Sequence, residues 1–239
     1  MILNENYQLS NGIEIPKLGL GTWFIDNEDA AHAVIETVKI GYRHIDTAQA
    51  YGNENGIGEG VKNSGVGRED LFITTKLAAE EKSYEEAYRA GKLRAIGVSN
   101  FEKEDLDNIL DYCKVKPMVN QILAHISNTP FDLIAYTQEQ GILVEAYSPI
   151  AHGELFKNKE VETVAEKYNV SIPQLSIRYT LQLGLLPLPK TANPAHMKNN
   201  AGVDFTISEE DMEDLKKAER IENYGEANDM PVFGWKLKK

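Results

Sequence analysis

The sequence predicts a TIM-type (β/α) barrel preceded by an N-terminal hairpin. Strand-like and helix-like segments alternate from about residue 18 to about residue 190, the pattern of a parallel sheet with crossover helices. Several of the strand-like runs are almost continuously apolar, as parallel strands covered on both faces are. The length of 239 residues suits a single α/β barrel, and no Gly-, Pro- or Ser-rich linker divides it. One domain spanning residues 1–239 is expected.

Asn11-Gly12 is a two-residue turn signal between the alternating segments Tyr7–Leu9 and Ile13–Ile15. Strands are predicted over Leu18–Trp23, Arg43–Ala48, Leu71–Leu77, Leu93–Ser99, Met118–Leu123, Ile142–Ser148 and Leu185–Pro189. Helices fill the intervals. Asp29–Ile40 ends at Gly41, and Glu54–Asn63 follows. Ser83-Tyr84-Glu85-Glu86 is a capping-box pattern for a helix stopping at Gly91. Glu102–Tyr112 places Leu106, Ile109 and Leu110 at helical spacing. Pro130 opens a helix closed by Gly141, and Val161–Tyr168 and Pro173–Leu183 form a pair. Ser208 caps the last helix, ahead of an irregular tail from Asn223.

Composition excludes several functions. Apolar residues make up 42% and charged residues 26%, so the chain can build a core and is not disordered. A net charge of −12 argues against nucleic acid and anionic membranes as partners. No run of 18 apolar residues predicts a membrane span. The start, MILNENYQLSNG, lacks the basic and apolar regions of a signal peptide. The single cysteine, Cys113, cannot form an intrachain disulfide and reads as a small buried apolar residue. A cytoplasmic protein is expected. There is no HExxH, CxxC or GxSxG motif and no metal-ligand cluster, and Ser176 and Cys113 lack a base at nucleophile spacing. Gly56-Ile57-Gly58-Glu59-Gly60 follows no strand and is not a dinucleotide fingerprint.

Barrel chemistry sits at the C-terminal strand ends. Those ends carry Asp46, Thr47 and nearby Tyr51, then Lys76, Ser99-Asn100, Asn120-Gln121, Tyr147-Ser148 and Lys190-Thr191. Asp46 and Lys76 stand in apolar strands, where a charge is costly unless paired. An ammonium beside Tyr51 would favour the phenolate and let the phenol give up a proton near neutral pH. The same three residues fit equally well as a structural ion pair beside a loop aromatic.

Seven strings, in order, resemble the aldo-keto reductases, especially the short-looped bacterial members. They are GLGTW (19–23), GYRHIDTAQAYGNE (41–54), FITTKL (72–77), GKLRAIGVSNF (91–101), VNQI (119–122), EAYSPIAHGEL (145–155) and LPLPKTANPAHMKNN (186–200). The resemblance implies an eight-stranded barrel that binds NADPH and reduces aldehydes and ketones, with 2,5-diketo-D-gluconate and glyoxal-type dicarbonyls as the nearest substrate class. It assigns Tyr51 as proton donor, supported by Asp46 and Lys76. It gives Ser99, Asn100 and Gln121 to the nicotinamide carboxamide and Tyr147 to its ring. Thr22, Ser148 and Pro149 belong to the cofactor cleft, as does the loop running to Leu155. Lys190 and Thr191 would grip the 2′-phosphate, with His196, Asn199 and Asn200 at the adenine end. Trp23 would line the substrate pocket, and Pro231, Val232, Phe233 and Trp235 would cover it. His196 replaces the family's usual arginine and Asn199 its frequent glutamate, which weakens NADPH preference and lets NADH compete.

One departure is larger. FITTKL reaches GKLRAIGVSN after only Ala78–Ala90, so about one strand–helix unit of roughly 30 residues is missing. With it goes the family's catalytic histidine. None of His32, His44, His125, His152 and His196 fills its place by sequence position. Loss of one such donor costs about 2.7–4 kcal/mol, roughly 100- to 1,000-fold in rate. Either the flanking strands pair directly in a smaller, seven-stranded barrel, or a gap exposes two edges that invite pairing with a second copy in a homodimer. Three readings follow: a weakened NADPH-dependent reductase, a nucleotide-binding protein without turnover, or a shortened barrel without activity.

Overall fold

The computed structural model describes residues 1–77 and 84–229. The predicted cap at Ser83 and the cover formed by Pro231, Val232, Phe233 and Trp235 lie outside the described residues.

A hairpin of β1 (Asn6–Gln8) and β2 (Glu14–Pro16) opens the chain. Leu9 N–H donates to Ile13 C=O at 2.8 Å, and Gly12 takes φ +84°. The loop is therefore residues 10–12 rather than the two-residue turn expected, with Gly12 in the left-handed region. Leu9 and Ile15 from this hairpin pack with Met118, Leu186 and Leu188, plugging one end of the barrel.

Then come β3 (Leu20–Gly21), α1 (Asn27–Ile40), β4 (His44–Asp46), α2 (Glu54–Asn63) and β5 (Phe72–Thr74). The second half holds α3 (Tyr84–Arg89), β6 (Gly97–Ser99), α4 (Lys103–Leu110), β7 (Val119–Leu123), α5 (Phe131–Glu139) and β8 (Leu143–Tyr147). It ends with α6 (Lys159–Lys167), α7 (Ile172–Gln182), β9 (Leu186–Leu188), α8 (Pro194–Ala201) and α9 (Glu209–Lys216). The sequence reading missed α8, whose polar face carries no apolar period. Its Asn193-Pro194 start was the available signal, and the Asn193 side chain does accept from Ala195 N–H at 2.9 Å. Cys113, expected buried, is half-buried in the turn after α4.

Strand order gives two parallel sheets, β3-β4-β5 and β6-β7-β8-β9. They join where Gly21 bridges Lys190 in parallel and Gly21 N–H donates to Pro189 C=O at 3.1 Å. Among the described residues no ladder joins β5 to β6, and the barrel is not closed there. Of the two alternatives, a smaller ring re-closed by direct pairing and a gap, the described residues show no direct pairing. The opening falls between β5 and β6. Arg94 reaches across part of it, its guanidinium 5.4 Å from the Phe72 ring centre and 3.2 Å from Leu71 C=O. The ladders are shorter than the strands predicted, with three residues each at β5 and β6 and two at β3.

The core sits between barrel and helices. Leu20, Ile45, Val34 and Ile177 are buried in one continuous cluster, each contributing about 1.5–3 kcal/mol. The glycines of α2 belong to this packing. A Cβ on Gly56 would lie 2.1 Å from Asn27 O, and one on Gly60 2.6 Å from Val34 Cβ. They let α2 lie directly on α1.

Candidate active site

At the C-terminal ends of the parallel strands lies a cavity of about 670 Å³. It is lined by Thr22, Trp23, Asp46, Tyr51, Lys76, Ser99, Asn100, Gln121, Tyr147, Ser148, Pro149, Lys190, Thr191, His196, Asn199 and Asn200, all named from the sequence. Ile150 and His152, from the loop expected over the cofactor, line it as well, and so do Phe24 and Phe156, which were not anticipated.

The parallel register of β4 and β5 brings Asp46 and Lys76 together. Lys76 Nζ donates to Asp46 Oδ1 at 2.7 Å, to Oδ2 at 2.6 Å and to Thr47 C=O at 2.7 Å. Asp46 is only 5% exposed, so the ammonium is what makes its charge tolerable there. Lys76 Nζ also lies 5.4 Å from the centre of the Tyr51 ring. One expectation fails here. The Tyr51 phenol is not made more acidic: burial pushes its pKa up, and the Asp46 charge adds to the rise. The three short bonds of the ammonium go to Asp46 and Thr47.

Loops behind Tyr51 are held by Asn53, a residue the sequence reading passed over. Its amide donates to Thr22 C=O and Ile25 C=O at 2.9 Å each, and its oxygen accepts from Thr47 Oγ1 at 2.7 Å. Thr22 Oγ1 in turn donates to Asp46 C=O at 2.9 Å. Trp23 stacks on Phe24 at 4.6 Å and on Tyr51 at 6.3 Å, while His152 meets its edge at 5.7 Å. Trp23 thus packs directly against Tyr51.

Across the cavity, Tyr147 OH donates to Asn100 Oδ1 at 2.9 Å and Ser99 Oγ donates to Gln121 C=O at 3.1 Å. Gln121 spends both amide hydrogens on carboxylates, Asp46 Oδ2 at 3.0 Å and Glu145 Oε2 at 2.8 Å. Its own amide oxygen is left as an acceptor. Phe24, Asn100, Ser148 and His152 all line the cavity with φ between +50° and +58°. Left-handed backbone at residues other than glycine costs about 1–3 kcal/mol and gathers at functional sites. No sequence signal announces it.

The histidines disperse. His32 is exposed on α1, and His125 is buried with Nε2 2.9 Å from Tyr224 OH. His44 is buried beneath the cavity, and His196 lies at its α8 end. His152 faces Ser148 Oγ at 3.0 Å. Among the described residues no cluster of three or more His, Cys, Asp or Glu could hold a metal ion, and no helix is long and apolar enough to cross a membrane.

The profile of the Aldo/keto reductase family matches this chain over residues 17–87 and 82–220. The chain belongs to the aldo-keto reductase family. It is 37% identical to the glyoxal reductase of Bacillus subtilis (strain 168), across 97% of this chain and 99% of that one. It is 31% identical to the methylglyoxal reductase DkgA of Escherichia coli (strain K12), across 91% and 94%. Among solved structures, a Bombyx mori aldo-keto reductase in complex with NADP superimposes with a TM-score of 0.84 at 26% identity, covering 97% and 96% of the two chains. An aldo-keto reductase complexed with NADPH gives 0.80 at 28%, covering 90% and 88%. The two family segments meet at residues 82–87, between β5 and β6. The alignment to the glyoxal reductase runs over 272 positions, more than the 239 residues available.

Proposed function

We propose that this aldo-keto reductase is a single-domain, cytoplasmic enzyme that reduces small aldehydes and ketones, dicarbonyls of the glyoxal type foremost, with NADPH as cofactor and Tyr51 as proton donor. The observation that carries this reading is the convergence of the proton donor, its supporting pair and the cofactor-facing residues on one cavity, with Lys76 locked to Asp46 beneath the Tyr51 ring. Relatives named glyoxal and methylglyoxal reductase support the substrate class.

The donor set suits a reduced nicotinamide dinucleotide. Ser99, Asn100 and the free amide oxygen of Gln121 match a carboxamide, and Tyr147 offers a ring to stack against. Lys190 and the N-terminus of α8 supply positive potential for a phosphate in an otherwise acidic chain. His196, Asn199 and Asn200 complete the adenine end, where an imidazole in place of a guanidinium leaves NADH able to compete. When bound, the cofactor supplies the hydride. Tyr51 supplies the proton: an alkoxide is more basic than a phenolate, so transfer from the raised phenol still runs downhill. Asp46 holds Lys76 charged and in place beside that phenol.

The open barrel favours slow turnover. The unit missing between β5 and β6 would have carried the family's carbonyl-orienting histidine, and the edges it leaves are available to a second copy, giving a homodimer. The test is steady-state reduction of methylglyoxal with NADPH and with NADH, alongside Trp fluorescence titration of each cofactor. Turnover with NADPH, at a kcat about 100- to 1,000-fold below that of a full-length relative, is expected. Cofactor quenching without turnover would replace this reading with that of a binding protein, and no binding would leave only a shortened barrel.

A further inference from the structure

The reaction assigned above leaves one buried acid unused. Glu145 stands in the middle of β8, 1% exposed. Its Oε2 accepts from Gln121 Nε2 at 2.8 Å, and the same nitrogen donates to Asp46 Oδ2 at 3.0 Å. One neutral amide thus bridges two carboxyl groups. Its Oε1 lies 3.9 Å from His44 Nε2, which is also 3.0 Å from Thr74 Oγ1. Burial holds His44 neutral, at about 3, so this is a contact between an imidazole and a carboxyl and not an ion pair. The titratable groups facing Glu145 are His44 and Asp46 from β4 and Lys76 from beyond β5. The neighbouring strands bring neutral partners, Gln121 from β7 and Leu186 from β9.

We propose that Glu145 is a positioning residue for proton delivery: through Gln121 it orients Asp46 on Lys76, and its ionisation slows release of the proton from Tyr51. This rests on the reductase reading of the site. The reasoning is one of charge. With Glu145 protonated, Asp46 and Lys76 form a neutral pair under Tyr51. When Glu145 loses its proton, the buried cluster carries a net negative charge, which opposes formation of a phenolate above it. Tyr51 itself is protonated throughout the neutral range, since burial and Asp46 raise it, so it gives no neutral-range inflection of its own. Glu145 does: burial first, then the Asp46 charge, raises it to about 7.

Its neutral isostere tests this. In the wild type, kcat for methylglyoxal reduction should fall about fivefold as pH rises from about 6 to about 8.5. Glu145→Gln should abolish that step, with the KM for NADPH and the melting temperature little changed at low pH. A structural role alone would lower activity at all pH values and leave the step in place, and that result overturns the proposal. If neither protein turns over, the reductase reading fails. The coupling is then read without activity, from the carboxyl carbons of 13C-glutamate-labelled protein. One glutamate should titrate near 7, and Asp46→Asn should move that inflection toward acid pH. An inflection that Asp46→Asn leaves in place overturns the proposal, and the same spectrum serves if Glu145→Gln fails to fold.

Discussion

Replacing Lys76 with methionine removes the cation paired with Asp46. Three hydrogen bonds disappear, two to the carboxylate at 2.7 and 2.6 Å and one to Thr47 C=O at 2.7 Å. Stranding one partner of a fully buried pair costs about 3–5 kcal/mol. Here two features reduce the loss. Lys76 is 24% exposed, so water screens part of the pair. Gln121 also keeps its bond to Asp46 Oδ2 at 3.0 Å. A destabilisation of about 2–3 kcal/mol remains. For a chain of this size that lowers Tm by about 4–12 °C. Asp46→Asn added to Lys76→Met should recover part of it, because the stranded charge is then gone. A double-mutant cycle followed by urea unfolding measures the coupling, expected at about 1–2 kcal/mol. If Lys76→Met unfolds within about 0.5 kcal/mol of the wild type, the pair does not stabilise Asp46 and the reasoning is wrong.

Buried titrating groups give a pH dependence of stability. His44 and His125 are held down at about 3 by burial, against about 6.5 when unfolded. Their contribution is complete above about 6.5 and is lost as pH falls toward 3. Glu145 acts in the opposite sense: raised to about 7, it contributes fully below the ordinary glutamate value and loses that contribution as pH rises through 7. Near pH 5 to 5.5 the two histidines outweigh the glutamate by about one proton, so unfolding free energy from urea titrations should rise there by about 1.4 kcal/mol per pH unit, and Glu145→Gln should roughly double that slope. Within α2, Gly58→Ala faces open space and should stabilise by about 0.5–1 kcal/mol. Gly60→Ala meets Val34 and the Ala31 backbone and should destabilise by about 1–3 kcal/mol; equal melting shifts for the two would contradict the helix contact. Sedimentation equilibrium should show a dimer formed through the β5 and β6 edges, and a sharp-melting monomer would argue that the edges are protected within one chain.

The site was legible in the sequence because parallel strands deliver their C-terminal ends to one side. Naming the polar residue at each end was enough to gather Asp46, Lys76, Ser99, Gln121, Tyr147 and Lys190 around one cavity. Glu145 was open to the same criterion, a carboxyl inside the apolar run ILVEAY, but it lies inside its strand and not at the end. Closure of the barrel was not legible, since it depends on whether two distant strands meet after a shortened connection. The left-handed backbone at Phe24 and Ser148 is imposed by the surrounding structure on residues that do not favour it, whereas Asn100 and His152 are types that adopt it more readily. The state of Tyr51 turned on its burial and then on the Asp46 charge beside it, neither of which sequence order gives.

The role proposed for Tyr51 is to hand the proton to a carbonyl as it is reduced. NADPH consumption with methylglyoxal by Tyr51→Phe and wild type, matched by cofactor fluorescence titration, tests it most directly. The phenylalanine variant should show a kcat about 100- to 10,000-fold lower, with cofactor affinity unchanged. Equal rates in the two proteins would contradict it.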